Sequence, residues 1–148
     1  MRTPPVSKVI SMRFQEGQVE RLGRLARRIG RTPSETGALL VEESLRRSEF
    51  AYVDFRDSAA GRQAYVQGST LAAWEVALVA RAYGMDAAKT AEHLGWPLAR
   101  TQAALNYAAA FPGEIEAAIA DNGSLGPGEL SRMLPQAEPF NPRSERDA

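Results

Sequence analysis

The sequence predicts a mainly α chain in two parts. One short strand and two helices come first, then a small β-hairpin followed by further helices. Three observations predict it. Alanine supplies 25 of the 148 residues, while strand-forming residues gather in a few short runs, so helix should dominate. The hydrophobic period is two over Ser7–Phe14, then three and four, then two again over Phe50–Arg56. Charge divides along the same line. Residues 1–50 carry ten basic and six acidic side chains, a net of +4, whereas residues 51–148 carry eight and twelve, a net of −4. A basic half joined to an acidic half suggests two jobs, the first of them meeting phosphate.

Residues 1–6 lack periodicity and contain Pro4 and Pro5, which reads as a flexible arm. From Ser7 to Phe14, Lys8, Ile10, Met12 and Phe14 share one side, and Ser7, Val9, Ser11 and Arg13 share the other. The first side is largely apolar and should be buried. A strand this short needs a partner strand. None lies nearby in sequence, so the expected partner is the same strand of a second copy, with Ile10, Met12 and Phe14 forming the dimer core.

Val19, Leu22, Leu25, Ala26 and Ile29 then recur at helical spacing. Gly30 stops that helix, and Arg27 and Arg28 suit its last turn. Arg21, Arg24 and Arg28 are read as its solvated face. Thr32-Pro33-Ser34-Glu35 opens a second helix, with Thr32 as N-cap, Pro33 at N1 and Glu35 completing a capping box. Ala38, Leu39, Val41 and Leu45 are expected on its core side, Leu40 in a further packing position, and its end near Arg47.

The second part starts with a hairpin. Ala51, Val53 and Phe55 alternate, residues 57–61 turn, and Gln63–Gln67 returns. Helices are expected from Ser69 or Thr70 to Tyr83, from Ala87 to Leu94 behind an Asp86 cap, from about Ala99 to Ala110, and from Glu114 to Ala120 after a break at Pro112-Gly113. The pair spanning Asp86 to Tyr107 has helix-turn-helix proportions. Its charges, Asp86, Lys89, Glu92 and Arg100, cancel, and Arg100, Thr101, Gln102 and Asn106 form no cationic cluster. Packing or dimerisation is the favoured role for this pair, because a groove-reading helix works beside phosphate-neutralising cations. His93 is expected as a partly buried packing residue, and Trp74 and Trp96 as core anchors.

Beyond Gly123 the composition is rich in proline and glycine, with widely spaced apolar residues. Residues 123–148 read as an extended or disordered tail, in which Leu130, Met133, Leu134 and Phe140 are candidate anchors for a protein partner. Arg132, Arg143 and Arg146 stand against Glu129, Glu138, Glu145 and Asp147, so the tail has no bulk attraction for phosphate.

Composition excludes several classes. With no cysteine there is no disulfide framework or thiolate site, and the single His93 makes a histidine metal cage impossible. No cofactor is expected. Paired carboxylates, a nucleophile–base set and a phosphate-cradling glycine loop do not stand out, so an enzyme is disfavoured. No apolar run suffices for a bilayer span and no secretory segment follows Met1, which points to a cytoplasmic location.

The order strand, helix, glycine turn, capped helix is carried by Ile10-Ser11-Met12-Arg13-Phe14, by Val19, Leu22, Ala26 and Ile29, and by Gly30-Arg31-Thr32-Pro33-Ser34-Glu35. Here residues 7–49 resemble the ribbon–helix–helix repressors of the Arc/MetJ/CopG superfamily. The resemblance implies a dimeric, DNA-binding domain whose paired strands enter the major groove. Val9, Ser11 and Arg13 would then face base edges, Arg13 as a bidentate donor to guanine. The N-terminus of the second helix at Thr32 and Ser34, with Arg31 beside it, would hold a phosphate. Residues 50–122 carry Phe55-Arg56-Asp57, Gly61-Arg62-Gln63-Ala64-Tyr65-Val66 and Trp74-Glu75-Val76. That stretch looks like a small helix-turn-helix-like domain of type II antitoxins, whose members often neighbour PIN-like ribonuclease toxins.

The expected function is therefore that of an antitoxin in a type II toxin–antitoxin system. It would bind double-stranded operator DNA as a homodimer or higher homo-oligomer, repress its own transcription, and neutralise a cognate toxin, plausibly a PIN-like ribonuclease, by protein contact. The alternative is a transcriptional regulator without a toxin partner, its C-terminal domain serving oligomerisation or small-molecule sensing. No membrane partner is expected.

Overall fold

The computed structural model describes residues 6–58 and 61–122. Helix dominates it, as alanine content requires. In chain order the elements are α1 (Glu16–Ile29), α2 (Pro33–Glu49), β1 (Val53–Ser58), β2 (Gly61–Val66), α3 (Ala73–Ala82), α4 (Ala87–Leu94), α5 (Leu98–Ala110) and α6 (Pro112–Asp121). The chain forms two compact units, Met1–Glu43 and Ser44–Ala148, and the division falls inside α2.

In the first unit, residues 6–15 form no strand. The period-two expectation for Ser7–Phe14 is thus not met within one chain. A strand is defined by its ladder, and no described segment of the same unit offers one. Side-chain Oε1 of Gln18 accepts from the Gln15 backbone N–H at 2.9 Å, which fixes the start of α1. Its end follows the expected glycine logic. Gly30 takes the left-handed conformation at φ 68°, and the Arg31 N–H reaches back to the Ala26 carbonyl at 2.9 Å. Helix α2 starts where expected, with Thr32 Oγ1 accepting from the Glu35 N–H at 3.1 Å and Pro33 in the first position.

The inward face of α2 departs from expectation. Its buried residues are Thr36 and Glu43, whereas Ala38, Val41 and Leu45 are exposed. Thr36 is accommodated because its hydroxyl donates to the Thr32 carbonyl at 2.8 Å. Within Met1–Glu43, Ala26 is the only buried apolar residue among those described. Leu22, Leu25, Ile29 and Leu39 are only partly buried, so one copy of this unit leaves much of its apolar surface uncovered.

The second unit has a real core. The hairpin forms, with Val53 opposite Val66 and Ser58 opposite Gly61. Val53, Ala64 and Val66 point inward. The next helix begins at Ala73, later than expected, because residues 66–72 first make a compact turn. The Ser69 hydroxyl donates to the Val66 carbonyl at 2.8 Å and accepts from the Leu71 N–H at 3.1 Å, and Ala72 bridges back to Tyr65. Glu75 Oε1 then accepts from the Ala72 N–H at 3.1 Å and starts α3. Helix α3 is buried along most of its length and contacts α4, α5, α6 and β2. Trp74, Ala77, Tyr107 and Ile115 centre one apolar cluster, and Val66, Val76, Leu94 and Leu105 another. Asp86 caps α4 through Lys89 N–H at 2.9 Å, as expected. Helix α5 ends at Ala110 as expected, but the break is Phe111, and Pro112 and Gly113 lie in the first turn of α6, where the missing proline N–H costs nothing.

Candidate nucleic-acid interface

The first unit holds the residues expected to meet DNA. Val9, Ser11 and Arg13 are exposed, Val9 at 95%. So are the residues expected to form a dimer core: Ile10 is 82% exposed, Met12 61% and Phe14 51%. Large apolar side chains left exposed together on one short segment mark a surface suited to a partner. In the same unit, Val19, Leu22, Gly23 and Pro33 line an open groove of about 500 Å³, edged by Glu20, Arg24 and Arg27.

Arg31, Thr32 and Ser34 lie together and exposed at the α2 start. Of the first-turn amides, Pro33 has none, Glu35 N–H is taken by Thr32 Oγ1, and Thr36 N–H by the Thr32 carbonyl. Ser34 is exposed, and its amide and hydroxyl have no hydrogen-bond partner among the described residues. The carboxylate of Glu35 stands in the same turn, so an anion held here needs the Arg31 charge as well. Among the described residues, neither Arg13 nor Arg31 is in an ion pair.

Two other arginines of the basic half have different work, which spacing in the sequence did not signal. Arg46 donates to Tyr107 Oη at 2.7 Å and Glu114 Oε1 at 2.9 Å, and its guanidinium lies 3.8 Å from the Phe111 ring centroid. Tyr107 in turn donates to Glu114 Oε2 at 2.6 Å. Burial, then the Glu114 carboxylate, push the Tyr107 hydroxyl far above its ordinary pKa, against the opposing pull of Arg46. Arg47 pairs with Asp54 at 3.4 Å and stacks over Phe55. Both arginines belong to the second unit, leaving the first with eight basic and five acidic side chains.

The α4–α5 pair is built for packing. Thr101, Ala103, Ala104, Leu105, Tyr107 and Ala108 on α5 are buried, and exposed Gln102 donates to Asn106 at 2.9 Å. Arg100 lies over the Trp96 ring. Trp74 is buried, Trp96 partly so, and His93 Nδ1 meets the Tyr83 hydroxyl at 2.6 Å. Leu130, Met133, Leu134 and Phe140 lie outside the described residues. None of the described helices is long and apolar enough to cross a membrane.

Comparison of the chain with known protein families, with curated proteins and with solved structures finds no match in any of the three.

Proposed function

We propose that this chain is a dimeric, operator-binding repressor that acts as the antitoxin of a toxin–antitoxin pair. The observation that carries the DNA-binding half is the uncovered apolar set at Ile10, Met12 and Phe14, in a period-two segment directly before two capped helices. Pairing two copies of that segment antiparallel would bury those three side chains and turn Val9, Ser11 and Arg13 outward together. Arg31 and the free Ser34 donors at the α2 start would grip the flanking phosphate.

The antitoxin half rests on the likeness of residues 50–122 to antitoxin domains and on the acidic balance of residues 51–148. A basic nuclease is the partner that such a balance favours. The test has two arms. Gel shifts on a duplex spanning the promoter of the chain's own gene should show a dimer bound at one site. Expression of the adjacent open reading frame should arrest growth, and co-expression of this chain should restore it. Promoter binding without any toxic neighbour would instead favour a regulator with no toxin.

A further inference from the structure

Opposite the apolar side of α1 runs a second stripe. Arg21, Arg24 and Arg28 recur at three- and four-residue spacing with Arg27 beside them, while Leu22, Leu25, Ala26 and Ile29 take the other side. All four arginines are exposed. Among the described residues, none of the four has a carboxylate within ion-pair distance. Glu20 is the sole acidic residue between Gly17 and Ser34.

A helix face that only meets water mixes its signs, because opposite charges at i,i+3 and i,i+4 support the helix and like charges oppose it. Here Arg21–Arg24, Arg24–Arg27 and Arg24–Arg28 are like-charge neighbours at those spacings. The stripe works against the helix that carries it, and a polyanion laid along it would relieve the repulsion. Arg21 to Arg28 spans about 10 Å of helix axis. A duplex strand presents a phosphate about every 3.4 Å along its axis, so three guanidiniums can each find one. An anionic bilayer fits less well. It would need the apolar side as well, and Ala26 on that side is already buried within the chain.

We infer that the Arg21–Arg24–Arg28 face of α1 binds the phosphodiester backbone of duplex DNA, as a sequence-independent anchor separate from the base-reading Ser11 and Arg13. The inference rests on the DNA-binding reading above. Because the whole chain has no net charge, affinity for DNA of any sequence has to come from a local patch of this kind.

The test compares the full chain with R21Q/R24Q/R28Q and with the charge-conserving R21K/R24K/R28K, by fluorescence anisotropy on a random-sequence duplex over a range of salt. The glutamine variant should bind about tenfold more weakly or worse, and its log Kobs against log salt should be shallower by about 0.9 for each contact removed. The lysine variant should keep most of both. If the triple variant does not fold, Arg24→Gln alone removes the central arginine of the stripe and should shift affinity and salt slope in the same direction. Unchanged affinity and slope in a folded glutamine variant would overturn the inference. Arginine-dependent binding to phosphatidylglycerol vesicles without arginine-dependent duplex binding would do so too. A wild-type chain that binds no duplex at all would overturn the DNA-binding reading itself, a distinct result.

Discussion

Arg13 and Glu75 show how differently one charged residue can count. Arg13 is exposed and, among the described residues, in no ion pair, so its removal should leave the fold intact and act on recognition. A bidentate contact to guanine discriminates by about 1–3 kcal/mol, and a symmetric dimer loses two. Arg13→Ala should therefore reduce operator binding to the level of random duplex while sedimentation still reports a dimer. Unchanged operator affinity would sink the strand-readout reading. Glu75 is 6% exposed. Burial raises its pKa above the ordinary 4.5, against the lowering effect of the Ala72 N–H. A folded-state pKa above the unfolded one means that the native state holds the proton more tightly. Stability is then lost as pH rises from the unfolded pKa through the folded one. Glu75→Gln keeps the acceptor for Ala72 and removes the charge, so it should raise the melting temperature at neutral pH, with the gain shrinking as pH falls through the raised folded-state pKa and gone below 4.5. Glu75→Ala should instead destabilise by about 1–3 kcal/mol, because the Ala72 amide is left buried without a partner. Melting curves of both variants across acidic to neutral pH decide this.

Among the elements, those ended by local chemistry were the legible ones. Gly30 and Gly95 close α1 and α4, and Thr32 and Asp86 open α2 and α4, each at the residue where composition places them. Where the decisive contact is remote or competes with a local signal, the reading drifted. Ser69 looks like a helix cap but spends its hydroxyl on a turn that returns Leu71 and Ala72 to β2. Pro112 marks the break after α5 but also begins α6, so that helix starts two residues earlier than Glu114. Arg46 meets Tyr107 and Glu114 from more than sixty positions away, and no spacing rule reaches that far. The apolar face of α2 was legible as apolar, yet Val41 and Leu45 stay exposed in one chain. Magnitudes explain why the strand and these helix faces belong to one event. Ordering the eight residues Ser7–Phe14 costs about 1–2 kcal/mol each. Three apolar side chains return about 1.5–3 kcal/mol apiece, which is not enough. Covering Val19, Val41 and Leu45 has to accompany ribbon pairing. Deletion of residues 1–15 should then leave α1 and the first half of α2 without fixed packing. The expected signature is dye binding and lost amide protection in residues 16–43. Retained protection in a monomer would refute the ribbon.

At the scale of the whole molecule, the two units differ in what they need. Ser44–Ala148 buries Trp74, Val76, Tyr107 and Leu105 within one chain, whereas Met1–Glu43 buries Ala26 alone among its described apolar residues. A fragment beginning at Ser44 should therefore fold as a monomer, with a melting temperature independent of concentration. The full chain should dimerise, and the stability of its first unit should rise with protein concentration by mass action. Under the proposed function, this division also decides where a toxin would bind without competing with the operator. The acidic balance lies entirely beyond residue 50. The candidate anchors Leu130, Met133, Leu134 and Phe140 follow in a proline-containing segment outside the described residues. Widely spaced anchors gain affinity only when several engage together, because binding bears the cost of ordering the segment between them. Truncation after Gly123 should accordingly leave operator affinity unchanged and remove most of the affinity for the toxin, measured by titration calorimetry of the purified pair. A truncated chain that still neutralises the toxin at wild-type stoichiometry would place the toxin-binding surface on residues 51–122.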